Sequence, residues 1–219
     1  ENFRTLRMHG SHWYMLPDMW ALYYSSDREV DLSKVHLTAK ICCIGLRTEV
    51  VEAGEPWPSS CEPACGLAAR FPVLQTPHGQ VFGAGAICRF LARSKQFLAL
   101  SGSTFQEEGE VESWLEWLQN ELEGPVRLLW SERRSGRDHT RMLEACNGNI
   151  NRASVVLNEH LRARTHLVGD RLTIADISLH AAMQHAQDLG ADVYASAHSP
   201  HLAQWVATVR IECLRAGSA

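Results

Sequence analysis

Residues 166–177 read HLVGDRLTIADI. Thr173 stands where a helix N-cap belongs, because the residues after it open an apolar run. Asp176 follows three residues on, so the pair makes a capping box with Asp in place of the usual Glu. The first N–H groups of a helix have no partners inside it, and such a box fills two of them. Leu172 and Ile177 hold the positions of a hydrophobic staple, which fixes the angle at which the chain enters the helix. The spacing predicts a helix over RLTIADISLHAAMQHA whose start is written into the sequence.

Around this helix, from about residue 104 onward, the pattern is helical throughout. FQEEGEVESWLEWLQNELE places Val111, Trp114, Leu115, Leu118 and Leu122 on one face. Trp117 lies one step off that stripe, where it widens the buried face or stays exposed for an interface. NINRASVVLNEHL places Ile150, Ala153, Leu157 and Leu161 likewise. SPHLAQWVATVRI reads as a last helix, with Pro200 in its first turn.

Before residue 104 the period changes. WALYYS (20–25) has the aromatic and aliphatic content of a buried strand. LSKVHLTAKICCIGL follows with Val35, Ala39, Cys42 and Leu46 at helical spacing, and RTEVVEA (47–53) reads as a second strand. Strand, helix and strand within about thirty residues make a βαβ unit, so the two strands run parallel. A loop rich in Pro, Ser and Cys (54–70) comes next. FPVLQTPHGQVFG (71–83) reads as a hairpin turning at His78–Gly79. The helix after it, AGAICRFLAR, is expected to turn Ala86, Ile87, Phe90 and Leu91 inward.

Composition narrows the function. The chain has 219 residues, is 45% hydrophobic and carries a net charge of −4, which argues against a generic nucleic-acid binder. No apolar run reaches membrane-spanning length, so no membrane partner is expected. Residues 1–19 lack both periodicity and the form of a secretory leader, and read as an N-terminal extension. Seven cysteines, two of them adjacent, suggest reduced thiols and a cytoplasmic location. Cys61 and Cys65 have loose metal-site spacing with no second pair after them, so no metal is expected. The eleven histidines lack the spacing of a hydrolytic zinc site; His180 and His185 do not share a helix face.

Two motifs, Phe71-Pro72-Val73-Leu74 and HLVGDRLTIADI, occur in the order seen in the glutathione-transferase superfamily, which the chain resembles over residues 20–213. The first resembles the family's cis-proline segment, and the second its capping-box folding motif. The resemblance implies an α/β thioredoxin-like N-terminal domain (20–95) and an all-α C-terminal domain (104–215), the glutathione-transferase fold. RTHLVGDRLTIADISL resembles the GST-like domain of elongation factor 1-gamma. VESWLEWLQNELEGPV, AICRFLA and PHLAQWVATV are similar to the GST-like appendices of aminoacyl-tRNA synthetases of the methionyl type and their complex scaffolds.

For the ligand site the resemblance implies Phe71, Pro72 and Val73 as the backbone edge, and Gly83 and Ala84 where the family has an acidic or amide residue and a Ser. Neither side chain here can form the polar contacts that hold the γ-glutamyl end of glutathione. Losing both costs on the order of 3 kcal/mol, about a hundredfold in affinity. Backbone amides at the helix start could still take a carboxylate. Weak or absent glutathione binding is therefore expected, with no other cofactor. Tyr24 and Ser25 stand where a transferase keeps its thiolate-stabilising hydroxyl, although Tyr at the end of a buried strand also serves a core.

The resemblance thus implies a non-catalytic assembly module of the translation machinery. Its partners would be other GST-like domains, translation factors or synthetases, in homo- or heterodimers, with tRNA met only indirectly. One alternative is an active cytosolic glutathione transferase using Tyr24 or Ser25. The other is a tRNA-binding accessory domain on Arg127, Arg133, Arg134, Arg137 and Arg141, a stretch whose interruption by Glu132 and Asp138 also fits a solvated loop of mixed charge.

Overall fold

The computed structural model describes residues 6–9, 12–15, 20–25, 29–51, 71–94, 99–136, 138, 140–191 and 199–215. The α/β part holds β3 (Trp20–Tyr24), α1 (Glu29–Ile41), β4 (Leu46–Val50), β5 (Val73–Thr76), β6 (Gly79–Phe82) and α2 (Ala84–Ser94). The four strands form one sheet in the order β4-β3-β5-β6. β3 and β4 run parallel, in the register Leu22 to Thr48, as the βαβ reading requires. β5 pairs antiparallel with both β3 and β6, so the expected hairpin is present, but it turns at Pro77–His78 and not at His78–Gly79, because Gly79 already pairs with Thr76. The Phe71–Pro72 peptide bond is cis.

Strand alternation divides the sheet into two faces. Leu22 and Leu74 join the main core with Ile87 and Leu91 of α2, whereas Ala21, Tyr23, Val51 and Val73 form a smaller cluster. The residues of α2 that are buried are Ala84, Ile87, Cys88, Leu91 and Ala92. Ala86 is exposed, contrary to expectation. Phe90 is half-buried and packs on Trp20 at 5.3 Å between ring centroids. The buried face is turned by about one position from the expected one, toward Cys88, which serves as a small apolar residue.

The helical part comprises α3 (Phe105–Leu118), α4 (Gly124–Arg134), α5 (Thr140–His160), α6 (Ile174–Asp188) and α7 (Pro200–Arg215). A π-helical turn, Gln119–Glu123, joins α3 to α4 without a break. Pro125 supplies no N–H, and the Gly124 N–H bonds back five residues to the Gln119 carbonyl, so the chain widens there and continues. The mixed-charge loop expected over 127–141 is therefore corrected: Arg127, Arg133 and Arg134 lie on α4 and Arg141 on α5. Val126 and Leu129, three apart, bury one face of α4 beneath those charges.

The two parts share one continuous core that runs from Leu22 and Leu74 through Leu118 and Leu157 to Trp205. Two short strands lie within the N-terminal extension. β1 (Leu6–His9) and β2 (His12–Met15) pair antiparallel as a separate two-stranded sheet. The loop 54–70, with Cys61 and Cys65, lies outside the described residues.

Candidate functional site

The site is built from α1, α2, α3, the π-helical turn and the start of α4, which meet where the two parts of the chain face each other. A cleft of about 590 Å³ opens there. One wall is the start of α2, Gly83 to Ala86, with Phe71 beside it, and the facing wall is α3 with Glu112, Leu115 and Glu116. Its cations are all met by carboxylates. Lys34 of α1 is buried and donates to both carboxylate oxygens of Glu123 at 2.7 Å. Arg127 donates from Nη1 to Asp31 at 3.1 Å and to Glu123 at 3.4 Å. The Arg89 guanidinium of α2 grips the Glu112 carboxylate of α3 through Nε and Nη2. That fork raises the Arg89 pKa, with burial opposing it.

Three of these pairs, Lys34–Glu123, Arg127–Asp31 and Arg89–Glu112, cross from the α/β part to the helical part, so they act as clamps on the domain interface. A buried pair of this kind is costly to break, because the group left behind keeps its charge without a partner. Sequence alone did not reveal the quartet. The signals were the spacing of Asp31 and Lys34 (three apart) and of Glu123 and Arg127 (four apart), which place each pair on one helix face. Ser33 and His185 add a further contact between the parts at 2.6 Å.

At the ligand wall, Gly83 is the residue before α2, and its carbonyl accepts the first helical bond, from Ile87 N–H at 3.0 Å. Its φ is +84°, a conformation that favours glycine. Its own N–H donates to the Pro72 carbonyl at 2.8 Å, and Val73 is buried within the sheet. Gly83, Ala84 and Phe71 thus meet in the cleft, while Val73 serves the sheet. Gly85 gives passage to Arg89: a Cβ there would stand 2.9 Å from Arg89 Nη1. Tyr24 and Ser25 do not line the cleft among the described residues; Tyr24 is half-buried and Ser25 buried. The donor set does not fit glutathione, because no side chain at Gly83 or Ala84 can hold its polar end and the three nearby cations already face carboxylates.

The capping motif has the expected form. The Asp176 carboxylate accepts from the Thr173 N–H at 3.0 Å and hydroxyl at 2.8 Å, from Leu167 N–H at 2.9 Å and from Trp205 Nε1 at 2.9 Å. Burial pushes the Asp176 carboxyl above the ordinary range, and these four bonds oppose that shift. Leu172 is half-buried and Ile177 fully buried beside it. Ile174 N–H donates to the Leu100 carbonyl at 2.9 Å, which ties the start of α6 to the segment joining the two parts.

The arginines have separate surroundings. Arg127 faces the cleft, whereas Arg133 donates to the Asp188 carbonyl at the end of α6 at 3.1 Å. Arg134 and Arg141 are exposed, and Arg137 lies outside the described residues. Among the described residues, no group of three or more His, Cys, Asp or Glu side chains is placed to hold a metal ion. No described helix is long and apolar enough to cross a membrane.

Residues 131–211 match the glutathione S-transferase C-terminal domain family. A glutathione S-transferase from Pseudomonas fluorescens shares the fold with a TM-score of 0.71 at 22% identity, over 88% of this chain and 95% of that one. The chain thus carries the glutathione S-transferase C-terminal domain and has the glutathione-transferase fold. The sequence likeness is to elongation factor 1-gamma. Elongation factor 1-gamma 3 of Oryza sativa subsp. japonica is 34% identical over 109 residues, 49% of this chain and 26% of that protein. Elongation factor 1-gamma of Trypanosoma cruzi is 32% identical over 154 residues, 70% of this chain and 35% of that protein. The chain therefore spans about a quarter to a third of the length of these relatives.

Proposed function

We propose that this chain is a non-catalytic GST-like module of the translation elongation apparatus, elongation factor 1-gamma-like, that serves assembly in the cytosol. The observation that carries the reading is the cleft. Its ligand wall has lost the side chains that would hold glutathione, and its cations hold the two parts of the chain together. The partners are other GST-like domains, elongation-factor subunits or synthetases, met as a homo- or heterodimer, and tRNA is met only through them. Arg127 and Arg133 are engaged inside the chain, which takes support from the tRNA-binding alternative.

The test is quantitative mass spectrometry of proteins cross-linked to the domain in native lysate. Enrichment of elongation-factor subunits or synthetases supports the reading. Enrichment of neither, together with robust conjugation of an electrophilic dye to glutathione, replaces it with the active-transferase alternative.

A further inference from the structure

A second, smaller cleft of about 220 Å³ lies between the turn that follows α5 and the first half of α7. Its floor is Leu161 and the Trp205 indole, both buried, and the indole N–H is already spent on Asp176 at 2.9 Å. Its rim carries Arg162, Arg164, Thr165, His201, Gln204 and Thr208. Among the described residues no Asp or Glu lines it. In a chain of net charge −4 this is the reverse of the interdomain cleft, where carboxylates answer every cation.

The rim has donors to spare. Arg162 meets Glu159 through Nη2 at 3.3 Å, but both side chains are about two-thirds exposed, and such a pair is easily exchanged. Arg164 spends only Nη1, on the His160 carbonyl at 3.2 Å. The backbone N–H of His201 is taken by Asn158 at 3.0 Å, so the polar group it has left for the cleft is its ring, and Gln204 lines the same cleft. Among the described residues neither ring nor carboxamide has a partner. Two guanidinium forks, an imidazole and an amide around one pocket make a donor set for a compact dianion, and guanidinium matches phosphate geometry. The volume is below the roughly 300–1,000 Å³ of sites for drug-sized ligands, which suits a single charged head group rather than a polymer backbone.

We propose that this cleft is an oxyanion site that takes the phosphoryl group of a small phosphomonoester. The site is independent of the assembly reading above. The test is a two-dimensional NMR titration of the whole chain with inorganic phosphate, O-phosphoserine and a nucleoside 5′-monophosphate at constant ionic strength, with chloride as control. Saturable shifts are expected at the Trp205 indole and the Thr165 and His201 amides, with the two ester arms showing which small source is preferred. Arg162→Gln with Arg164→Gln is expected to weaken binding about tenfold or more without lowering the melting temperature, since both residues are exposed. If that double variant loses its fold, Gln204→Leu on the exposed side of α7 gives the same readout. Linear drift, equal shifts with chloride, or unchanged titration of the variants overturns the proposal. Tighter, arginine-dependent binding of an RNA duplex overturns it in favour of a nucleic-acid surface.

Discussion

Two helices of this molecule begin in opposite ways. At the start of α6, Thr173 and Asp176 satisfy the first turn from within, and Asp176 also binds Leu167 and Trp205. At the start of α2, Gly83, Ala84, Gly85 and Ala86 offer no side chain that can cap, and the turn faces the cleft. One helix start holds the helical part together. The other keeps the path of the chain without the groups that would hold a ligand. Two helix starts in one fold can thus carry very different side chains, and fold alone does not settle function.

The sharpest way to break the comparison is at Asp176. Asp176→Ala leaves four buried donors without an acceptor, and should cost about 4–5 kcal/mol in chemical denaturation, enough to threaten folding. A loss below about 1 kcal/mol would show that the box is ornamental. Next comes Glu123→Gln, which leaves the buried Lys34 ammonium only the more distant Asp31 carboxylate at 3.9 Å and should cost about 3 kcal/mol. The double variant Lys34→Met with Glu123→Leu should recover most of that loss, because neither charge is then left buried alone.

At the α2 start the effects are smaller. Gly83→Glu introduces a carboxylate but places it at φ +84°, so about 1 kcal/mol of stability should be lost. The weakest handle is pH. Burial, aided by Arg210, lowers the His180 pKa below 6.5, so the ring is neutral in the fold. The folded state then binds fewer protons than the unfolded chain, and His180 should draw stability down as pH falls below about 6.5. The His180→Gln variant should show a flatter stability profile between pH 7 and 5.

What the sequence made legible was local. The capping box spans four residues, and the β5–β6 hairpin turns within two, so their partners are near in the chain. The βαβ unit follows from period and connection length. What stayed hidden depends on distance or on mixed patterns. Lys34 and Glu123 are 89 residues apart, and no local spacing joins them. α4 was masked because its charges drew attention from Val126 and Leu129, and because Pro125 reads as a breaker where the chain only widens. The inward face of α2 was misjudged at Ala86 because residue type does not fix rotation when most positions are apolar. At the site, Gly83 and Ala84 were found by motif, but the engagement of Arg89, Arg127 and Lys34 became visible only in three dimensions.

The most direct measurement is a calorimetric titration of the chain with glutathione, beside the Ala84→Ser variant. No saturable binding is expected below millimolar glutathione for the natural sequence, and at most about a tenfold gain from the added hydroxyl. Micromolar binding by the natural sequence would contradict it.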